Sequence, residues 1–182
     1  MKYADIKKYD ISNGVGIRVS LFVSGCNHHC KGCFNAEAWD FNYGNDFTND
    51  TITEIIDSLK PDYINGLSLL GGEPLDPKNQ EGILTLLRKV KEVYPNKNIW
   101  CYSGYLYEYL LEDSKTNDIL KEVLSYLDIL VDGKFDIDKK DITLLFRGSS
   151  NQRIIDVKKS LENNEIILSE KNRRRNEDAV KC

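Results

Sequence analysis

The chain has 182 residues, with 25 Lys and Arg against 29 Asp and Glu and a formal net charge of −4. That length suffices for one domain to bury a core without disulfide staples, and the acidic balance argues against a dedicated nucleic-acid binder. No run approaches the roughly eighteen apolar residues of a membrane span, the opening MKYADIKKYD lacks the apolar stretch of a secretory signal, and five cysteines is an odd number; the expectation is a cytoplasmic protein whose cysteines serve metal or redox chemistry.

Residues 16 to 23, GIRVSLFV, place Ile17, Val19, Leu21 and Val23 on one face with the period of a strand. The strand runs into SGCNHHCKGCFN at 24 to 35, which holds Cys26, Cys30 and Cys33 and both histidines of the chain. Thr51 and Glu54 suggest a capping box, and Ile52, Ile55, Ile56 and Leu59 then recur at helical spacing up to Pro61. INGLSLL at 64 to 70 reads as a second strand broken by Gly71, Gly72, Glu73 and Pro74. Ile83, Leu86, Leu87, Val90 and Val93 mark a helix closed by Pro95. NIWCY at 98 to 102 is a third strand ending in Ser103 and Gly104. Ile119, Leu120, Val123, Leu124 and Leu127 give another helical stripe before a strand at 128 to 131 and the turn Asp132, Gly133, Lys134. The tail from Ser169 to Cys182, with Arg173, Arg174 and Arg175, has no periodicity and is expected to be disordered and solvated.

Strands alternating with helices imply an α/β fold with a parallel sheet and right-handed crossovers. The cysteine loop, GGEP, YSG and DGK each follow a strand, so the topology gathers them on the rim where such folds place active sites. A full eight-stranded barrel takes about 250 residues, so a partial, open βα barrel is expected. Three clustered thiolates would repel one another without a cation, and the candidates are zinc, an iron-sulfur cluster, or a disulfide with one cysteine spare. Structural zinc takes four ligands, and a fourth here must come from His28, His29 or Cys101. A 4Fe-4S cluster on three cysteines instead keeps one iron open for a ligand. His28 and His29 are expected as exposed loop residues, Cys101 as a buried small hydrophobe and Cys182 as an incidental thiol. FRGSSNQR at 146 to 153 reads equally as a capped loop or as a docking segment centred on Arg147.

The CxxxCxxC loop of Cys26, Cys30 and Cys33 followed by GGEP at 71 to 74 resembles the radical S-adenosylmethionine superfamily. Residues 13 to 35, YSGY at 102 to 105, LVDGKF at 130 to 135 and FRGSSNQR resemble its activating branch for anaerobic ribonucleoside-triphosphate reductase. The resemblance implies a partial-barrel domain over 1–155 with an extension over 156–182, a 4Fe-4S cluster on the three cysteines, and S-adenosyl-L-methionine bound at the open iron. It implies reductive cleavage of that cofactor to methionine and a 5'-deoxyadenosyl radical, which makes a glycyl radical on the reductase large subunit, with flavodoxin or ferredoxin as electron donor. Gly32 stands before the third cysteine, where the wider superfamily commonly has an aromatic, and Phe34 follows; Gly32, Cys33 and Phe34 are counted among the cofactor contacts. Gly71 and Gly72 are expected to let backbone approach the ligand, Glu73 to accept from the methionine ammonium, Lys134 to pair with its carboxylate, and Asp132 or Ser103 to take ribose or ammonium contacts. The competing readings are an activase of another glycyl-radical enzyme such as pyruvate formate-lyase, a non-catalytic iron-sulfur carrier, and a zinc-stabilised module.

Overall fold

The computed structural model describes residues 1–175. Its strands are β1 (Lys2–Asp10), β2 (Ile17–Val23), β3 (Asn45–Asp46), β4 (Ile64–Gly71), β5 (Asn98–Tyr102), β6 (Ile129–Asp132) and β7 (Arg153–Asp156), and its α-helices are α1 (Asn49–Leu59), α2 (Pro77–Val93), α3 (Tyr107–Asp113), α4 (Asp118–Tyr126) and α5 (Val157–Asn163). The strands form one sheet in the order β3-β1-β2-β4-β5-β6-β7. Its centre, β2, β4, β5 and β6, is parallel as the alternating pattern implies. Its margins are antiparallel: β1 pairs with β2 and β3, and β7 pairs with β6. Neither margin was expected, because KYADIKKYD is too polar and RIID too short to carry a period-two signal.

Alternation along the central strands divides their side chains between two clusters. Val19, Leu21, Val23, Leu67, Leu69, Ile99, Cys101 and Leu130 join the helix residues Ile55, Leu87, Tyr107 and Leu124 in the main core. Trp100, Val131 and Ile154 form a second cluster with Tyr102 and Phe146. Cys101 is fully buried on the helix side, as a small hydrophobe.

Local signals explain the helix ends. Asp76 caps α2 by accepting from the Lys78 N–H at 3.0 Å, with Pro77 in the first turn where its missing donor costs nothing. The capping box of α1 closes between Thr48 and Thr51 rather than Thr51 and Glu54. Thr48 N–H donates to Thr51 Oγ1 at 3.2 Å, while Glu54, one turn further on, pairs with Lys8 at 2.9 Å. The chain from Ser169 to Arg175 also departs from expectation, since it is hydrogen-bonded along two segments. Ser169 N–H donates to Ile154 O at 2.8 Å, Leu145 N–H to Arg173 O at 3.1 Å, and Arg175 N–H to Thr143 O at 2.8 Å. Arg174 is tied to Asp141 at 3.1 Å. The arginine run is thus a strap against residues 143 to 145. The rest of the expected tail, Cys182 included, lies outside the described residues.

Candidate functional site: a cysteine loop on the carboxyl rim

The loops that follow β2, β4, β5 and β6 meet around one cleft of about 230 Å³. Cys26, Cys30 and Cys33 line it together with Gly71, Gly72, Glu73 and Ser103. The cysteine loop curls through two left-handed residues, His29 at φ 49° and Gly32 at φ 76°. The Asn35 N–H donates to Cys33 Sγ with N···S 3.4 Å. Burial pushes the Cys26 thiol up to about 11, the His28 and His29 N–H groups acting against the rise and the Glu73 charge adding to it. Burial likewise raises the Cys30 thiol, against the Phe135 N–H. A coordinated cation reverses that preference, because a ligating thiol is held deprotonated.

The loop is stitched to the turn after β4. Gly72 N–H donates to Val23 O at 2.7 Å and Glu73 N–H to Gly25 O at 2.8 Å. The Asn79 side chain donates to both Ser24 O and Glu73 O. The two glycines owe their identity to this contact. A Cβ on Gly71, whose φ is 104°, would lie 2.7 Å from the Val23 backbone, and one on Gly72 would lie 2.5 Å from Gly25 O. The close approach seen here is of backbone against backbone, and both glycines also line the cleft.

Residues 12–155 match the family model of the 4Fe-4S single cluster domain. The anaerobic ribonucleoside-triphosphate reductase-activating protein of Pasteurella multocida is 41% identical over 156 residues, covering 85% of this chain and 96% of that protein. The proteins of the same name from enterobacteria phage T4 and Escherichia coli K12 are each 42% identical over 154 residues, covering 85% and 84% of this chain and 93% and 96% of theirs. The chain belongs to the anaerobic ribonucleoside-triphosphate reductase-activating protein family.

The residues of this activating-protein family member fit an iron-sulfur cluster. Cys33 Sγ accepts from the Asn35 N–H, and hydrogen bonds to cluster sulfurs are one means by which a protein tunes such a cluster. Cys26, Cys30 and Cys33 on one cleft are compatible with the 4Fe-4S domain match. The cleft also offers room for a polar ligand. Trp39 Nε1 and Tyr102 Oη are buried without a hydrogen-bond partner among the described residues, and both side chains line the cleft. Tyr102 belongs to the YSG segment expected on the rim, without a role of its own, and Trp39 was not singled out from sequence.

The other expected contacts divide. Phe34 lines the cleft mouth at 85% exposure, with Lys140 Nζ 5.5 Å from its ring centroid. Ser103 is buried, its hydroxyl donating to Glu73 Oε1 at 2.9 Å and accepting from Tyr105 N–H at 3.1 Å. Gly32, Asp132 and Lys134 are not among the residues lining the cleft. Gly32 lies against Ile137. The Asp132 carboxylate is fully buried, accepting from the Arg153 guanidinium and from Tyr107 N–H at 2.9 Å. Lys134 is exposed, close enough for its charge to act on Cys30. His28 reverses its expectation: its side chain is 8% exposed and its Nε2 lies 2.8 Å from Glu73 Oε2. His29 stays exposed, its ring centroid 4.8 Å from that of Trp39. The segment 146 to 153 is a capped loop on the cleft wall: Gln152 Oε1 accepts from Gly148 and Ser149 N–H, and its Nε2 donates to Gly133 O at 2.9 Å.

Proposed function

We propose that this chain activates an anaerobic ribonucleoside-triphosphate reductase by generating a glycyl radical on it. Cys26, Cys30 and Cys33 would hold a 4Fe-4S cluster whose fourth iron is left to S-adenosyl-L-methionine. When bound and reduced, the cluster supplies the electron that cleaves this cofactor to methionine and a 5'-deoxyadenosyl radical, which takes hydrogen from a glycine α-carbon of the reductase large subunit. The observation that carries the reading is that Cys26, Cys30 and Cys33, and no other described cysteine, line one cleft together with two polar atoms unpartnered among the described residues.

The chain's own residues would do the positioning. Gly71 and Gly72 bring the turn against the cysteine loop, so that backbone rather than side chains would face a cluster held there. Trp39 Nε1–H and Tyr102 O–H would meet acceptors of the bound cofactor, and the Phe34 ring would cover its outer edge. Asp132 is committed to Arg153, so the ribose contact expected of it passes to one of these groups. Lys134 remains a candidate for the methionine carboxylate only by turning inward. The parallel strands, with helices packed on one face and the Trp100 cluster on the other, support an open βα barrel of the radical S-adenosylmethionine type. Residues 1–155 would form that domain and residues 156–182 an extension; the reductant would be flavodoxin or ferredoxin.

The test is anaerobic reconstitution followed by electron paramagnetic resonance of the dithionite-reduced protein, with and without S-adenosylmethionine, and assay of 5'-deoxyadenosine in the same tube. The expected result is a reduced-cluster signal that shifts on adding the cofactor, with 5'-deoxyadenosine formed, and loss of both in Cys26→Ser, Cys30→Ser and Cys33→Ser. A protein that takes up zinc but no iron, or a cluster indifferent to the cofactor, would overturn the reading.

A further inference from the structure

Glu73 is 1% exposed, and all its acceptor positions are in use. Oε1 accepts from Leu75 N–H and Ser103 Oγ–H, both at 2.9 Å. Oε2 accepts from Gly104 N–H at 2.7 Å and from His28 Nε2–H at 2.8 Å. A carboxylate offers about four lone-pair sites, so a bound ammonium would have to displace one of these donors. The four donors come from three rim loops, and only His28 belongs to the cysteine loop.

The arm between Cys26 and Cys30 depends on that contact. Among the described residues, Asn27 to His29 make no backbone-to-backbone hydrogen bond. Two side-chain bonds hold the arm to the turn after β4: Asn27 Nδ2–H to Asp76 Oδ2 at 2.8 Å, and His28 to Glu73. The His28 ring is seated to make its bond. It meets Tyr105 edge-on at 4.5 Å between centroids, and a Cβ on Gly104 would lie 2.3 Å from the ring. We infer that His28 is a positioning residue: its hydrogen bond to Glu73 fixes the arm carrying Cys26 and Cys30 and so governs how firmly the cluster is kept. The inference rests on the cluster ligation proposed above.

Two variants separate the hydrogen bond from the packing of the ring. His28→Phe keeps a ring against Gly104 and Tyr105 but has no donor, whereas His28→Gln keeps a donor and loses the ring. The measurement is the anaerobic rate of iron release to a chelator from reconstituted protein, without S-adenosylmethionine, beside the thermal melt of each apoprotein. His28→Phe is expected to release iron about tenfold faster than the parent and His28→Gln within about twofold of it, as for other groups that orient metal ligands. Glu73→Gln, which replaces an acceptor oxygen by an amide, approaches the same bond from its other side and should match His28→Phe, and it stands in for that variant if its melt shows no folded protein. Iron release from His28→Phe or its substitute as slow as the parent's would overturn the inference, as would His28→Gln releasing as fast as His28→Phe. A parent that takes up no iron would instead overturn the proposed ligation, so the two failures are distinguishable.

Discussion

Arg18 is fully buried on β2, and among the described residues it makes no ion pair. Its charge is met by dipoles instead. Nε donates to Ser68 Oγ at 2.7 Å, Nη1 to Asn98 Oδ1 at 2.6 Å, and Nη2 to Leu67 O at 2.8 Å, while the guanidinium lies 5.5 Å from the Trp100 ring centroid. Burial lowers its pKa to about 10, so it stays charged at neutral pH. Arg18→Met should therefore cost about 2–4 kcal/mol, because the acceptors aimed at the guanidinium lose their donors. Urea denaturation of the apoprotein measures this, and a loss below about 0.5 kcal/mol would show that water or repacking replaces the side chain without penalty. At this scale the sequence was informative where chemistry depends on spacing, as in Cys26, Cys30 and Cys33. It was silent where chemistry depends on a partner: His28 and Glu73 are 45 residues apart, and Arg153, which takes Asp132 out of the cleft, is 21 residues beyond it.

Among the elements, the four central strands were legible because one face of each packs on helices, which imposes alternation on the sequence. The margins were not: β1, beside the two-residue edge strand β3 and so largely uncovered, carries polar residues on both faces with Lys2, Asp5, Lys7 and Lys8. The same blindness hid the strap of residues 169 to 175, whose attachment combines backbone hydrogen bonds with polar side-chain contacts of Asn172, Arg174 and Arg175 that follow no period. The strap braces residues 143 to 145, next to Phe146 and Arg147 on the cleft wall, and it lies past residue 155, where the match to the cluster-domain family ends. Ending the chain at Leu168 should release that wall. Hydrogen exchange of the truncated apoprotein is expected to show lost protection at Leu145 and Ile154, whose N–H groups donate to Arg173 O and Asn172 Oδ1, while the central strands keep theirs. Unchanged protection at Leu145 would mean that the wall stands without the strap.

Across the whole molecule, the topology does what the chain order implies: loops far apart in sequence converge because parallel strands end on one side. The chain's acidic net charge plays no visible part in that, and no described helix is long and apolar enough to cross a membrane. What the molecule offers is a cleft bounded by the cysteine loop, the turn after β4 and the capped loop of residues 146 to 153. The central claim is that this cleft delivers a radical to a glycine of a reductase. The direct measurement is electron paramagnetic resonance of the anaerobic reductase large subunit, incubated with the reconstituted, reduced protein and S-adenosylmethionine. The expected result is a glycyl-radical signal that requires all three components and is absent with Cys30→Ser. Production of 5'-deoxyadenosine without that signal on the reductase, but with one on pyruvate formate-lyase, would contradict it.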